Sequence, residues 1–299
     1  MTGNLNRNLN IEWTRAGKFP WCSQDPSAPY VILGIPLDET VTFRPGTRFG
    51  PSSAREYAPA LEHYSLRQKR ALVPDNYYDA GDLVLPMGNV ERALATIEVA
   101  VSSVLEKGQR FMAIGGEHLI TYPLVQAMLV KYPDLVVIQF DAHADLRSEY
   151  TGTKFSHATV MRRVVELLGP GRLYQLGIRS ADEEELKESQ GLSHIFYHQV
   201  LEPLKKIMPE LADKPVYLSI DIDVVDPAFA PGTGVPEPGG ITSQELLDAL
   251  GYLAGTNIVG IDLVEVAPAY DFSGQTGLLA AAVVRESLLL LDSGASKVQ

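Results

Sequence analysis

Three short stretches of the chain gather groups that can hold metal ions. Asp141, His143 and Asp145 follow the apolar run LVVIQF, and Asp221 and Asp223, with Asp226 beyond them, follow PVYLSI. Glu117 and His118 follow FMAIGG. Any one of these alone could be a helix cap, a loop ion pair or a satisfied, partly buried His. Together they pose an electrostatic problem. Carboxylates that converge at strand ends repel one another unless positive charge lies between them, and neither Asp run contains a Lys or Arg. Two divalent cations would solve it.

The set His118, Asp141, His143, Asp145, Asp221 and Asp223 offers imidazoles and carboxylates and no thiolate. Such an oxygen-rich set suits Mn²⁺ better than a thiolate-type zinc site would, with Mg²⁺, Co²⁺, Fe²⁺ and Ni²⁺ as alternatives. Two metals about 3.5–4 Å apart can hold and deprotonate a bridging water. Two more groups stand near the same strand ends. His157 opens a helical pattern in KFSHATVMRR, and Glu265 follows NIVGIDLV. The first could carry a proton and the second could receive a cationic group, or they could be a helix-start His and a loop Glu. Residues 227–240, PAFAPGTGVPEPGG, exclude regular structure and start at the second Asp cluster, as an active-site wall would.

These groups need a scaffold that brings strand ends together. Apolar runs at 30–36, 111–115, 135–140, 172–178, 215–220 and 257–264 read as strands, with 194–197 as a weaker one. Helical patterns cover about 52–65, 90–108, 119–131, 158–168, 182–190, 199–212, 243–254 and 276–291. Continuous apolar strands imply burial on both faces, so the alternation predicts a three-layer α/β/α domain with a mainly parallel central sheet. In such sheets ligands bind beyond the carboxyl ends of the strands, where the candidate groups sit. Residues 29–299 read as one catalytic domain and 1–28 as an N-terminal arm.

Composition narrows the partners. The 299 residues carry a formal net charge of −12, which disfavours nucleic acid and anionic membranes and suits a cationic small substrate. No apolar stretch reaches the roughly 20 residues that span a bilayer. Cys22 is the only cysteine, so no intrachain disulfide forms and a reducing, cytoplasmic setting is expected.

Taken in order, GGEHLIT (115–121), FDAHADLR (140–147), YTGTKFSHAT (150–159), LGIRS (176–180), SIDIDVVDPAFAPGTG (219–234) and DLVEVAPAYD (262–271) resemble the ureohydrolase (arginase–agmatinase) superfamily, and its bacterial agmatinases in particular. FRPGTRFGPSSARE (43–56) and YDAGDL (78–83) fit as well. The resemblance implies an arginase-like fold and two Mn²⁺ per subunit. His118, Asp141, Asp145 and Asp221 would hold one ion, and Asp141, His143, Asp221 and Asp223 the other. It makes His157, Glu265 and Asp145 the catalytic groups, with Glu265 on the guanidinium and His157 moving a proton. The implied reaction is attack of a metal-bridging hydroxide on agmatine, giving putrescine and urea. Guanidinobutyrase and then arginase are the alternatives. A homo-oligomer, hexamer or trimer, is also implied.

Several residues bear on the substrate. The segment LRSEYTGTKFS (146–156) has no Asn and resembles the agmatinase version. Glu149 could attract the distal ammonium of agmatine. Arg147 could pair a substrate carboxylate, or form a structural ion pair with nearby acids. Asp226 and Arg179 fit structural roles, and Glu117 stands where many relatives have Asp. Two-metal phosphoester hydrolysis would call for basic clamps, for which Lys154, Arg147 and Arg179 are the only nearby candidates beside an otherwise anionic set. A non-enzymatic metal scaffold leaves His157 and Glu265 unexplained.

Overall fold

Runs of Val, Ile, Leu and Phe that are buried on both faces can satisfy their backbones only by pairing with one another under covering helices. The computed structural model, which describes residues 9, 11–14 and 17–295, does this with eleven strands. They are β1 (Trp13–Thr14), β2 (Tyr30–Ile35), β3 (Tyr64–Ser65), β4 (Arg70–Ala71), β5 (Tyr77–Leu83), β6 (Arg110–Gly115), β7 (Val136–Phe140), β8 (Leu173–Ile178), β9 (His194–Tyr197), β10 (Val216–Asp221) and β11 (Ile258–Val264). Nine form one sheet in the order β1-β5-β2-β6-β11-β10-β7-β8-β9. All its pairings are parallel except the antiparallel edge pair β1–β5. β3 and β4 make a separate antiparallel ribbon.

Helices cover both faces, giving the expected three layers. On one side α1 (Gly50–Tyr57), α6 (Leu201–Ile207), α7 (Ser243–Tyr252) and α8 (Gln275–Ala295) bury Ala54, Leu204, Leu246 and Val283. On the other α2 (Val90–Glu106), α3 (Thr121–Lys131) and α4 (Val160–Leu168) bury Ile97, Leu124 and Val164. The short α5 (Glu183–Glu188) is capped by Asp182 and Glu185 in a capping box.

Three details differ from the sequence reading. The helix expected over 52–65 stops at Tyr57, before a 3-10 turn that begins with Ala58-Pro59. The helix expected to 212 stops at Ile207 and tightens into 3-10 geometry at Met208-Pro209. Residues 77–83 form a strand that has no continuous apolar run. β5 alternates buried and half-buried positions, and one buried position is Asp79. That carboxylate is neutralised inside the protein by Arg55 of α1, whose Nε and one terminal nitrogen each lie 2.9 Å from it. Of the expected arm, residues 1–8, 10, 15 and 16 lie outside the described residues. Trp13 and Thr14 pair with Leu83 and Asp82.

Candidate metal centre and active site

Sheet order brings the separated motifs together. β6, β11, β10 and β7 are consecutive neighbours. Their carboxyl ends lead, side by side, into His118, Glu265, the Asp221/Asp223 pair and the Asp141/His143/Asp145 group. Gly116 lets the chain after β6 cross close to β2. A Cβ there would collide with the Leu37 carbonyl. Gly116 and Glu117 instead bond through their backbone N–H groups to Ile35 and Leu37. That crossing aims His118 into the cluster.

His118 Nδ1 lies 3.0 Å from Asp141 Oδ2, 3.2 Å from Asp221 Oδ2 and 3.3 Å from Asp145 Oδ2. His143 Nδ1 lies 2.9 Å from Asp223 Oδ2 and 3.7 Å from Asp141 Oδ1. Two overlapping groups of donor atoms result. They are His118, Asp141 and Asp221, and Asp141, His143 and Asp223, with Asp141 common to both.

Whether these atoms fit metal ions can be judged from His118. Its Nε2 lies 2.9 Å from Ser219 Oγ, and that hydroxyl donates to Asp262 Oδ1 at 2.7 Å. The Ser219 oxygen therefore accepts from Nε2–H, and the Nδ1 lone pair faces the three carboxylates. The fully buried Nδ1 makes no hydrogen bond. A lone pair surrounded by anionic oxygens is unfavourable unless a cation lies among them. Separations of about 3 Å are those of adjacent ligands around an octahedral ion with bonds near 2.1 Å. The residues fit a pair of divalent cations.

Without those cations the cluster is electrostatically frustrated. Burial disfavours the charged form of His118, but Asp141, Asp145 and Asp221 outweigh it and hold the imidazole well above its usual range. Burial, then Asp223 and Asp141, pushes Asp221 well up. Asp145 is raised to about 7 by burial and by Asp141. Asp145 also sits at φ 53°, and Glu265 at φ 65°. That left-handed conformation costs a non-glycine residue roughly 1–2 kcal/mol.

Glu265 is buried, and its Oε1 accepts the His118 backbone N–H at 2.8 Å. Its carboxyl is held well above the usual range by burial, with Glu117 and Asp223 adding to the effect. Among the described residues no Lys or Arg pairs with it. A Cβ at Gly234 would come within 3.1 Å of its Oε2, so the glycine of the 227–240 loop leaves that oxygen room. His157 stands across a cavity of about 530 Å³ that both residues line with His118, Asp145, Asp221 and Asp223. Burial, then His143 and His118, pulls its imidazole down to about 4, so it is neutral at physiological pH.

The loop is fastened by Arg179, whose guanidinium donates to backbone carbonyls of Asp223, Val224, Glu237 and Pro238. Asp226 accepts from Ala228, Gly239 and Gly240. Arg147 lies 3.6 Å from Asp182 and 3.9 Å from Glu185 and stacks over Tyr150. Glu149 is exposed and lies outside the cavity wall, whereas Asp182 and Glu185 line it. The sequence reading missed Asp262, Thr40, Asp182 and Glu185. For Asp262 the signal was present as one carboxylate inside the apolar run NIVGIDLV.

A parallel α/β/α sheet that gathers a His/Asp cluster at its carboxyl edge, with Glu265 and His157 on the cavity beside it, is the arrangement of a metal-dependent hydrolase. Residues 28–290 match the sequence profile described as the arginase family, and the chain belongs to that family. It is 51% identical over 266 residues to an agmatinase of Bacillus subtilis (strain 168), with 88% of this chain and 91% of the relative covered. The fold superposes on the agmatine ureohydrolase of Thermoplasma volcanium with a TM-score of 0.86 and 33% identity, covering 94% and 96% of the two chains. It also matches the proclavaminate amidino hydrolase of Streptomyces clavuligerus at a TM-score of 0.84 and 31% identity, covering 93% and 98%. Among the described residues no helix is long and apolar enough to cross a membrane.

Proposed function

We propose that the chain hydrolyses the guanidinium group of agmatine, releasing urea and putrescine. The observation that carries this reading is the charge of the cavity wall. Among the described residues, its only Lys or Arg is Arg147, already placed between Asp182 and Glu185. Asp145, Asp221, Asp223 and Glu265 oppose it, with Asp141 beneath. Two divalent ions would balance four carboxylates and leave the wall anionic. A dication such as agmatine suits that wall better than a substrate with its own carboxylate.

His118, Asp141, Asp145 and Asp221 would hold one ion, and Asp141, His143, Asp221 and Asp223 the other, with manganese favoured by the oxygen-rich donors. When bound, the pair supplies a water activated for attack near neutral pH. Glu265 contributes the charge that the guanidinium seeks. Its free oxygen can take a charge-assisted N–H bond, fixing the carbon of the planar cation toward the metal centre. Once the carbon is tetrahedral, the departing nitrogen must take up a proton so that it leaves as a neutral amine. His157, neutral and at the cavity wall, is suited to take a proton and hand it on. Asp145, on the same cavity wall, is the other group that can share one.

A reducing cytoplasmic setting, a homo-oligomer (hexamer or trimer) and one catalytic domain over 29–299 after an arm at 1–28 complete the proposal. The test is urea release by the Mn²⁺-loaded chain from agmatine, 4-guanidinobutyrate and arginine side by side. Agmatine should be strongly preferred. Preference for 4-guanidinobutyrate would move the substrate assignment, and no urea from any of them would overturn the reaction.

A further inference from the structure

We propose, building on His157 as the proton carrier, that Thr40 is a positioning residue for His157 and that Glu117 fixes Thr40 in place. Thr40 lies on the segment between β2 and α1. Its hydroxyl oxygen accepts the His157 backbone N–H at 3.0 Å and stands 3.4 Å from the ring Nδ1. The only other side chain bonded to that nitrogen among the described residues is Ser156, also at 3.4 Å, whose hydroxyl is engaged as a helix cap to Ala158 N–H.

Glu117 is fully buried and yet neither lines the cavity nor falls in the metal-binding groups. A carboxylate buried at such cost needs a use. Its Oε2 accepts the backbone N–H groups of Thr40 at 2.8 Å and Glu39 at 3.2 Å. With its backbone held by Glu117, the Thr40 hydroxyl stays beside both the amide and the ring of His157. A partner at Nδ1 fixes the ring and leaves Nε2 to take and release the proton. The same anchored segment carries Thr42 and Phe43 into the cavity wall, so one buried carboxylate sets both the wall and the ring.

The experiment compares Thr40→Val, Thr40→Ser and His157→Ala as full-length, Mn²⁺-loaded proteins with agmatine. Misplacing a reacting group by about an ångström costs on the order of 10²-fold. Thr40→Val should lower kcat by about 10- to 100-fold while KM and manganese content stay near wild type. Thr40→Ser, which keeps the oxygen, should recover most of the rate. Hydrogen–deuterium exchange over 155–160 should accelerate in Thr40→Val, loaded or metal-free, because the His157 amide loses its acceptor. Wild-type kcat in Thr40→Val, or equal damage from Thr40→Ser, would overturn the proposal while a slow His157→Ala kept the proton-carrier reading intact. Wild-type kcat in His157→Ala would remove both.

Discussion

The backbone N–H of His118 donates to Oε1 of Glu265 at 2.8 Å, and the Glu265 N–H returns a bond to the carbonyl of Gly116 at 2.9 Å. The ends of β6 and β11 are thereby locked together. One carboxylate oxygen is committed to holding a candidate metal ligand, while the other faces the space left by Gly234. The two halves of the site, metal and substrate, therefore share a rigid joint. Glu265→Gln can keep the bond to His118 and lose only the charge. Hydrogen bonds to charged groups contribute about 1.5–3 kcal/mol, so kcat/KM for agmatine should fall roughly 10- to 100-fold, with manganese content unchanged. Loss of metal in this variant would place Glu265 in the metal site instead.

Asp223 spans two strands. Its Oδ1 accepts the Ala142 N–H at 3.0 Å and its Oδ2 lies 2.9 Å from His143 Nδ1. Removing it takes a donor from only one of the two overlapping groups. Asp223→Ala should drop bound Mn²⁺ from about two per subunit toward one and cut urea release by at least ~10²-fold, since a bridging site needs both ions. Metal analysis of the dialysed protein decides it. A fully loaded and fully active variant would sink the ligand assignment.

Much of this site could be read in the chain because strand ends announce themselves. LVVIQF and PVYLSI end where the carboxylates begin, and a parallel sheet has to gather such ends on one edge. What could not be read was which strands are neighbours. Glu265 belongs between His118 and Asp221 only because β11 sits between β6 and β10. β5 escaped notice because its buried Asp79 is neutralised by Arg55, 24 residues earlier in the chain. Thr40 lies 117 residues from His157 and has no motif of its own. Glu149 was offered for the distal ammonium by its place in the sequence, whereas Asp182 and Glu185, at the short α5, are the acids that line the cavity.

Cys22 carries a pH prediction with a definite sign. Burial first, and then Asp79, pushes its thiol up to about 12 from an ordinary value of 9.0. The folded state thus keeps a proton that the unfolded state gives up between those values. That contribution to stability is complete below pH 9 and is lost as pH rises from 9 toward 12. Native protein at pH 8 should react with a thiol reagent far more slowly than unfolded protein, because the thiolate is the nucleophile. In urea titrations Cys22→Ala should lose less stability than wild type between pH 9 and 10.5. Rapid labelling of the native thiol would refute the burial argument.

Arg147 decides between a structural and a substrate-binding role. Its partners are fixed. Glu185 accepts the backbone N–H groups of Leu146 and Asp182, and the guanidinium lies near both Asp182 and Glu185 and over the Tyr150 ring. The pair is partly exposed, so its net stabilisation is small, on the order of 1 kcal/mol or less. Removing the positive charge leaves two acids on the wall facing a dication. Arg147→Met should therefore retain agmatine turnover within a few-fold at low salt, with KM unchanged or lower, and should leave 4-guanidinobutyrate a poor substrate. If Arg147 held a substrate carboxylate, wild type would turn over 4-guanidinobutyrate well and the variant would lose it selectively. Steady-state kinetics with both substrates separate the two outcomes, because the substituted charge acts with opposite sign on an ammonium and on a carboxylate.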